Sequence, residues 1–164
     1  MEAEEVVNDV RKLKQELEEL PEASASPVLV VVSGLPGTGK SYFSRKLAER
    51  LPSVVVESDA LRKRLFPAPR YSAQESDHLF RTCHCLMEEL LGSGISVILD
   101  ATNLVELHRE RLYHIAERLQ VKLMMVQVEA PQELVRERLQ NRLDGVDHGN
   151  SSEADWRVYQ RMKT

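Results

Sequence analysis

Four short aliphatic runs punctuate the chain: "VLVVVS" at 28–33, "SVVVE" at 53–57, "ISVILD" at 95–100 and "VKLMMVQV" at 121–128. None alternates apolar with polar residues as a half-exposed strand would, so the pattern predicts parallel strands covered on both faces by helices. The segments between and after them are amphipathic and predict helices at 40–50, 59–65, 73–91, 104–119, 131–142 and 152–163. Strand, crossover helix and strand repeated in this way predict an α/β protein, a three-layer αβα sandwich around a parallel sheet.

A different pattern precedes the first strand. Val6, Val10, Leu13, Leu17 and Leu20 recur at spacings of four and three on an otherwise charged segment, which predicts an amphipathic helix over 2–20. Fewer than three heptads argue weakly for a coiled coil, so docking on the protein's own body is favoured over a partner helix. "PEASASP" then reads as a linker, dividing the chain into a helix and linker at 1–26 and one domain at 27–164.

Charge sharpens that division. The net charge is -4, yet Met1 to Ser26 alone holds eight acidic and three basic residues, so the remainder is close to neutral and gives no electrostatic case for nucleic acid. No apolar run approaches the ~20 residues that cross a bilayer, and the acidic start lacks the order of a signal peptide. Cys83 and Cys85, the only cysteines, are two apart and cannot easily bridge within a helix. These features predict a cytoplasmic protein without a membrane partner.

The first strand runs into "GLPGTGKS", which matches G-x-x-x-x-G-K-[ST] at every fixed position, with a predicted helix behind it. Glycines let the backbone wrap phosphates closely and aim N–H groups inward, and the helix presents its positive end. Gly34, Leu35, Pro36, Gly37, Thr38, Gly39, Lys40, Ser41 and Tyr42 are therefore the predicted nucleotide-binding residues. Lys40 neutralises the β and γ phosphates and Ser41 ligands Mg²⁺. A glycine-rich turn before a helix is the bland alternative.

In an open parallel sheet the ligand crevice lies at the carboxyl ends of the strands. After the second strand, Asp59 and Arg62 share one helix face. There a carboxylate can accept the proton of an attacking hydroxyl and an arginine can grip the acceptor; equally, Ser58 or Asp59 can simply cap the helix. Asp100 closes the third run, where a carboxylate is costly unless it serves the water shell of a metal or caps a turn; Thr102 and Asn103 suit either role.

Beyond the fourth run, Arg136, Arg138 and Arg142 lie on a helix entering a polar loop, either as a lid on the phosphates or as a solvated face. Residues 59–91 form the predicted acceptor side, where Arg64, Arg70 and Tyr71 can meet a nucleic-acid end or sit in a solvated loop. His78, Cys83, His84 and Cys85 do not have zinc spacing, and Leu79, Phe80, Cys83, Leu86, Met87 and Leu90 read as a core stripe instead.

Taken in order, "GLPGTGKS", "SDALR", "LDATN" and "RLQNR" resemble the P-loop kinases related to polynucleotide 5'-kinase and zeta toxin, over about Val28 to Tyr159. The resemblance implies Asp59 as general base, Arg62 as an acceptor contact, and Arg138 and Arg142 as lid residues on the phosphates. It also implies ATP and Mg²⁺, and an acceptor hydroxyl on a polynucleotide end, a nucleotide sugar, an antibiotic or another small metabolite. Such kinases place a further core strand after the lid and its next helix, whereas this sequence ends at "VYQRMKT"; the expectation is a piece of a longer kinase or a substitute element. The competing classes are an NTP-driven switch or remodelling ATPase and an inactive nucleotide-binding module. "VILDATN" lacks the second acidic residue that a remodelling ATPase places beside its metal aspartate.

Overall fold

The computed structural model describes residues 1–17, 19–102, 106–145 and 155–163. Its elements run α1 (Glu2–Glu16), β1 (Val28–Ser33), α2 (Lys40–Ala48), β2 (Ser53–Glu57), α3 (Ser58–Leu65), α4 (Ala73–Gly92), β3 (Ser96–Asp100), α5 (Glu106–Leu119), β4 (Lys122–Gln127), α6 (Gln132–Leu143) and α7 (Trp156–Lys163). The fold is α/β, with a four-stranded parallel sheet in the order β2-β3-β1-β4.

Alternate residues of β1 feed opposite faces of the sheet. Leu29 and Val31 join Val97, Leu99, Leu86 and Leu112 under α4 and α5. Val30 and Val32 join Ile98 and pack on Leu47 and Leu51 at the α2 side. Side chains this enclosed each contribute about 1.5–3 kcal/mol relative to exposure, which is why the runs show no polar alternation.

A third apolar cluster, Val135, Leu139 and Tyr159 with Trp156, packs Leu35 and so seats α6 and α7 on the loop after β1. Helix α1 lies on α4, burying Val6, Val10 and Leu13 in the main core. Its polar side is tied by Asp9 to His78 at 2.8 Å, Lys14 to Glu89 at 2.8 Å and Glu16 to Arg64 at 2.9 Å.

Three expectations need correction. Helix α1 ends at Glu16 rather than at 20, and Leu20 is exposed. Strand β4 is not covered on both faces: Met124 and Met125 are 44% and 40% exposed, because β4 is an edge that pairs only with β1 among the described residues. Phe80 is not in the core stripe of α4 but half-buried at a cavity wall, with its ring 5.1 Å from His108. One residue along a helix is a rotation of about 100°, so the neighbour of fully buried Leu79 falls at the margin of the stripe.

The register sets the position of the functional end. Val32 is level with Asp100, Asp100 with Glu57, and Ser33 with Gln127, so the chain leaves every strand at the same edge of the sheet. Because β3 lies between β1 and β2, a crevice opens between the loops that follow β1 and β3.

Candidate active site

The loop from Gly34 to Gly39 folds over the end of β1 and delivers Lys40 to the first turn of α2. Gly34 has φ +151°, and a Cβ there would lie 2.5 Å from the carbonyl oxygen of Val128, where the chain leaves β4. Gly37 has φ +78°, and a Cβ would meet Val135 at 3.0 Å and Leu139 at 3.1 Å on α6. The glycines thus serve close backbone approach on both sides of the loop.

Hydrogen bonds hold the cradle open. The hydroxyl of Thr38 donates to the Leu35 carbonyl at 2.7 Å, and Lys40 Nζ donates to the same oxygen at 3.3 Å. Arg138 Nη1 donates to the Gly37 carbonyl at 3.2 Å, which ties α6 to the loop itself.

The cavity over this loop has a volume of about 860 Å³ and also reaches Glu57, Asp59, Arg62, Tyr71 and Phe80 on one side and Arg142, Val158 and Met162 on the other. Sites for drug-sized ligands span roughly 300–1,000 Å³, so the cavity has the size of a ligand site. Lys40, Arg45, Arg62, Arg138 and Arg142 outnumber the acids Glu57, Asp59 and Asp100, which suits a polyanion.

Lys40 and Asp100 respond to this enclosure. Burial pushes Lys40 below its ordinary range, against the pull of Asp100 and Asp59, while Arg142 adds to the lowering. Burial likewise pushes Asp100 up, opposed by a hydrogen bond from the Ser41 hydroxyl and by Lys40, with Asp59 reinforcing the rise. Asp100 is 4% exposed, and its Oδ2 has no partner among the described residues. A buried carboxylate oxygen left over beside a serine hydroxyl is the donor set that a hydrated divalent cation would satisfy, so Ser41 and Asp100 fit Mg²⁺.

Asp59 sits in the first turn of α3 and lines the cavity. The helix cap is Glu57, without a side-chain cap bond, so neither Ser58 nor Asp59 serves as that cap. Arg62, on the same face, is engaged elsewhere: Nη1 donates to Glu75 at 3.2 Å, Nη2 to Ser76 at 3.1 Å, and its guanidinium lies 4.7 Å from the Tyr71 ring. Its Nε is enclosed and has no partner among the described residues.

Glu75 organises this corner. Its carboxylate accepts from the backbone N–H groups of Arg70 and Tyr71 as well as from Arg62. Burial would raise it, but those N–H bonds and the arginine together leave it below the usual carboxylate range.

Other expected residues divide between the cavity and the rest of the body. Arg64 pairs with Glu16 of α1, Arg136 lies 5.5 Å from the Trp156 ring, and Tyr42 is exposed at the cavity rim. Thr102 lines the cavity; Asn103 and the polar loop after Gly145 up to residue 154 lie outside the described residues. Cys83 is in the core, where burial pushes its thiol up to about 12, and His78 is bonded to Asp9. Sequence reasoning missed Glu75, although Ser72-x-x-Glu75 is a helix-start signature and the Ser72 hydroxyl does accept from Glu75 N at 3.1 Å. It also missed Glu57, although that residue ends the second aliphatic run as Asp100 ends the third, and Arg45, for which no local pattern exists.

Known proteins extend the comparison. The chain is 30% identical over 116 residues to the L-seryl-tRNA(Sec) kinase of Methanococcus maripaludis, covering 68% of this chain but 44% of that relative. The chain therefore spans under half the length of that relative. The fold is shared with Chaetomium thermophilum Kti12 in complex with ADP-AlF3, at TM-score 0.65, 23% identity, and coverage of 82% of this chain and 78% of that one. It is also shared with the Mycobacterium tuberculosis APS kinase CysC bound to AMPPNP and APS, at TM-score 0.58, 24% identity and 86% of each chain. The AAA domain family matches residues 29–164, from the second residue of β1 onward, and the chain belongs to that family, with a fold shared with a solved kinase structure.

Proposed function

We propose that the protein is an ATP-dependent kinase that transfers the γ-phosphate of ATP to a hydroxyl group, on a polynucleotide end or a small metabolite. The observation that carries this reading is the single cavity joining the phosphate loop to Asp59, with Lys40 close enough to feel both Asp59 and Asp100. The kinase names of the similar proteins support it.

In this reading the acceptor hydroxyl oxygen attacks the γ-phosphorus, its proton passes to the Asp59 carboxylate, and the bond to the β,γ-bridging oxygen breaks to release ADP. Lys40 and the loop N–H groups hold the phosphates, Arg138 and Arg142 bring positive charge to the migrating group, and Arg62, held by Glu75 and Ser76, lines the acceptor side of the cavity. Mg²⁺ held by Ser41 and Asp100 would add charge neutralisation on the phosphates. Residues of α6 and α7, Arg138, Arg142, Val158 and Met162, wall the side of the cavity away from Asp59.

The test is transfer of labelled γ-phosphate from ATP and Mg²⁺ to a 5'-hydroxyl oligonucleotide and to a metabolite pool, with Lys40→Ala as control. Lys40-dependent label in either acceptor supports the reading. Acceptor-free hydrolysis alone, stimulated by a protein partner, would replace it with the NTP-driven switch. Asp59→Asn should abolish transfer while leaving ATP binding near normal; loss of binding would make Asp59 structural.

A further inference from the structure

Tyr71 is built into the cavity in a conformation that side chains of its size avoid. Its φ is +55°, in the left-handed region that a bulky non-glycine residue adopts only when surrounding contacts impose it. Those contacts are identifiable. Glu75 accepts from the backbone N–H groups of Arg70 and Tyr71, and the Arg62 guanidinium, held by the same carboxylate and by Ser76, supports the ring at 4.7 Å.

The cluster holds an apolar ring where solvent reaches it. The Arg62 and Glu75 side chains are each 8% exposed, whereas Tyr71 is 48% exposed and lines the cavity together with Asp59 and Phe80. The ring rests on a buried ion pair and lines the cavity.

We propose that Tyr71 is a specificity-determining residue, a stacking platform for a planar conjugated ring carried by the acceptor next to its hydroxyl, with Glu75 as the positioning residue that acts through Arg62 and the 70–71 peptide. The inference rests on the kinase reading only in taking the Asp59 side of the cavity as the acceptor side. An aromatic ring on a cation offers a polarised face to a second ring, whereas a polyol gains little from it. The ring can belong to a nucleobase or to another aromatic group; both use the same face.

The experiment is binding rather than turnover, so that it stands apart from the kinase reading. Protein saturated with ADP and Mg²⁺ is titrated, by saturation-transfer NMR, with thymidine, phenyl glucoside and methyl glucoside, using wild type, Tyr71→Phe, Tyr71→Leu and Glu75→Gln. Retained ADP binding confirms that each variant is folded.

Stacking on an aromatic side chain changes affinity by about tenfold or more. Tyr71→Leu should therefore weaken thymidine or phenyl glucoside by about tenfold while Tyr71→Phe stays within about twofold. Glu75→Gln should weaken the same compound by a smaller factor, and methyl glucoside should be indifferent to all three changes. Preference for thymidine over phenyl glucoside would assign the ring to a nucleobase, and the reverse to another aromatic.

Equal binding of the ring-bearing probes by wild type and Tyr71→Leu, methyl glucoside binding as tightly as both ring-bearing probes, or no binding of either ring-bearing probe overturns the platform. A ring-bearing probe that binds in a Tyr71-dependent way but takes no label from ATP, when nothing else does, leaves the platform standing and overturns the kinase reading. Label transferred only to ring-free acceptors, unchanged in Tyr71→Leu, does the opposite.

Discussion

The hydroxyl of Ser41, in the first turn of α2, hydrogen-bonds to the carboxylate of Asp100, the last residue of β3. This one contact joins the phosphate loop to the neighbouring strand end, and it leaves the second carboxylate oxygen enclosed without a partner among the described residues. Burial pushes Asp100 upward despite Ser41 and Lys40, so its charge costs stability in the nucleotide-free protein. Asp100→Asn should raise the melting temperature of the nucleotide-free protein. It should also remove the additional rise that Mg²⁺ gives in the presence of ATP. Thermal denaturation with ATP, with and without Mg²⁺, reads both effects; a lower nucleotide-free melting temperature would make Asp100 a structural residue.

The two loop glycines should differ in tolerance. A Cβ at Gly34 would press on a backbone carbonyl at 2.5 Å, whereas one at Gly37 would meet the side-chain ends of Val135 and Leu139 at 3.0 and 3.1 Å, which can shift. Both positions also strain an alanine through their positive φ. Gly34→Ala should cost about 3 kcal/mol or more, and Gly37→Ala about 1–2 kcal/mol. Urea denaturation of the two variants checks the order, and equal costs would mean that φ strain rather than contact decides.

What was legible in the sequence follows from locality. The phosphate loop is a contiguous motif, and its neighbouring strand and helix are short-range patterns, so the whole unit from Val28 to Ala48 could be read directly. Asp59 and Asp100 were legible because a parallel sheet puts every strand end at one edge. The covering of β4 was not, since an apolar run reads alike in the centre of a sheet and at its edge; what differs is the presence of a neighbour far away in the chain. The Arg62–Glu75 pair spans 13 positions across a turn, a separation that helix spacing cannot reveal. Glu75 carried a visible capping signature, but its bonds to Arg70 and Tyr71 depend on how that turn folds back.

Helix α1 gives a clean stability test. Val10 and Leu13 are 2% and 3% exposed against α4, and the ion pairs that flank them are mostly exposed and weak. Leu13→Ala should therefore cost about 2–4 kcal/mol, and Lys14→Ala well under 1 kcal/mol. Urea midpoints measured on both variants decide. A neutral Leu13→Ala would mean that α1 leaves the body in solution and is available as a partner helix.

His84 sets an expected acid sensitivity. Burial, then Arg111 and His108 on α5, lower its ring from 6.5 to about 4. The Phe80 ring lies 6.5 Å away on the same helix, and Glu88, His114, Glu117 and Arg118 face the adjoining groove. The unfolded chain takes up this proton near pH 6.5, whereas the folded chain does so only near 4. The folded state binds fewer protons in that window, so the contribution of His84 to stability is full above 6.5 and is lost as the pH falls toward 4. The loss by pH 4.5 should reach roughly 2 kcal/mol, below the limit for complete burial because the ring is partly solvated. His84→Gln removes the titration while keeping a polar side chain of similar reach. Wild type should lose more stability than the variant between pH 7 and 4.5, as read by urea unfolding at each pH. If the two lose stability in parallel, the histidine is protonated in the folded protein as easily as in the unfolded chain, and the packing of α4 against α5 does not exclude its charge.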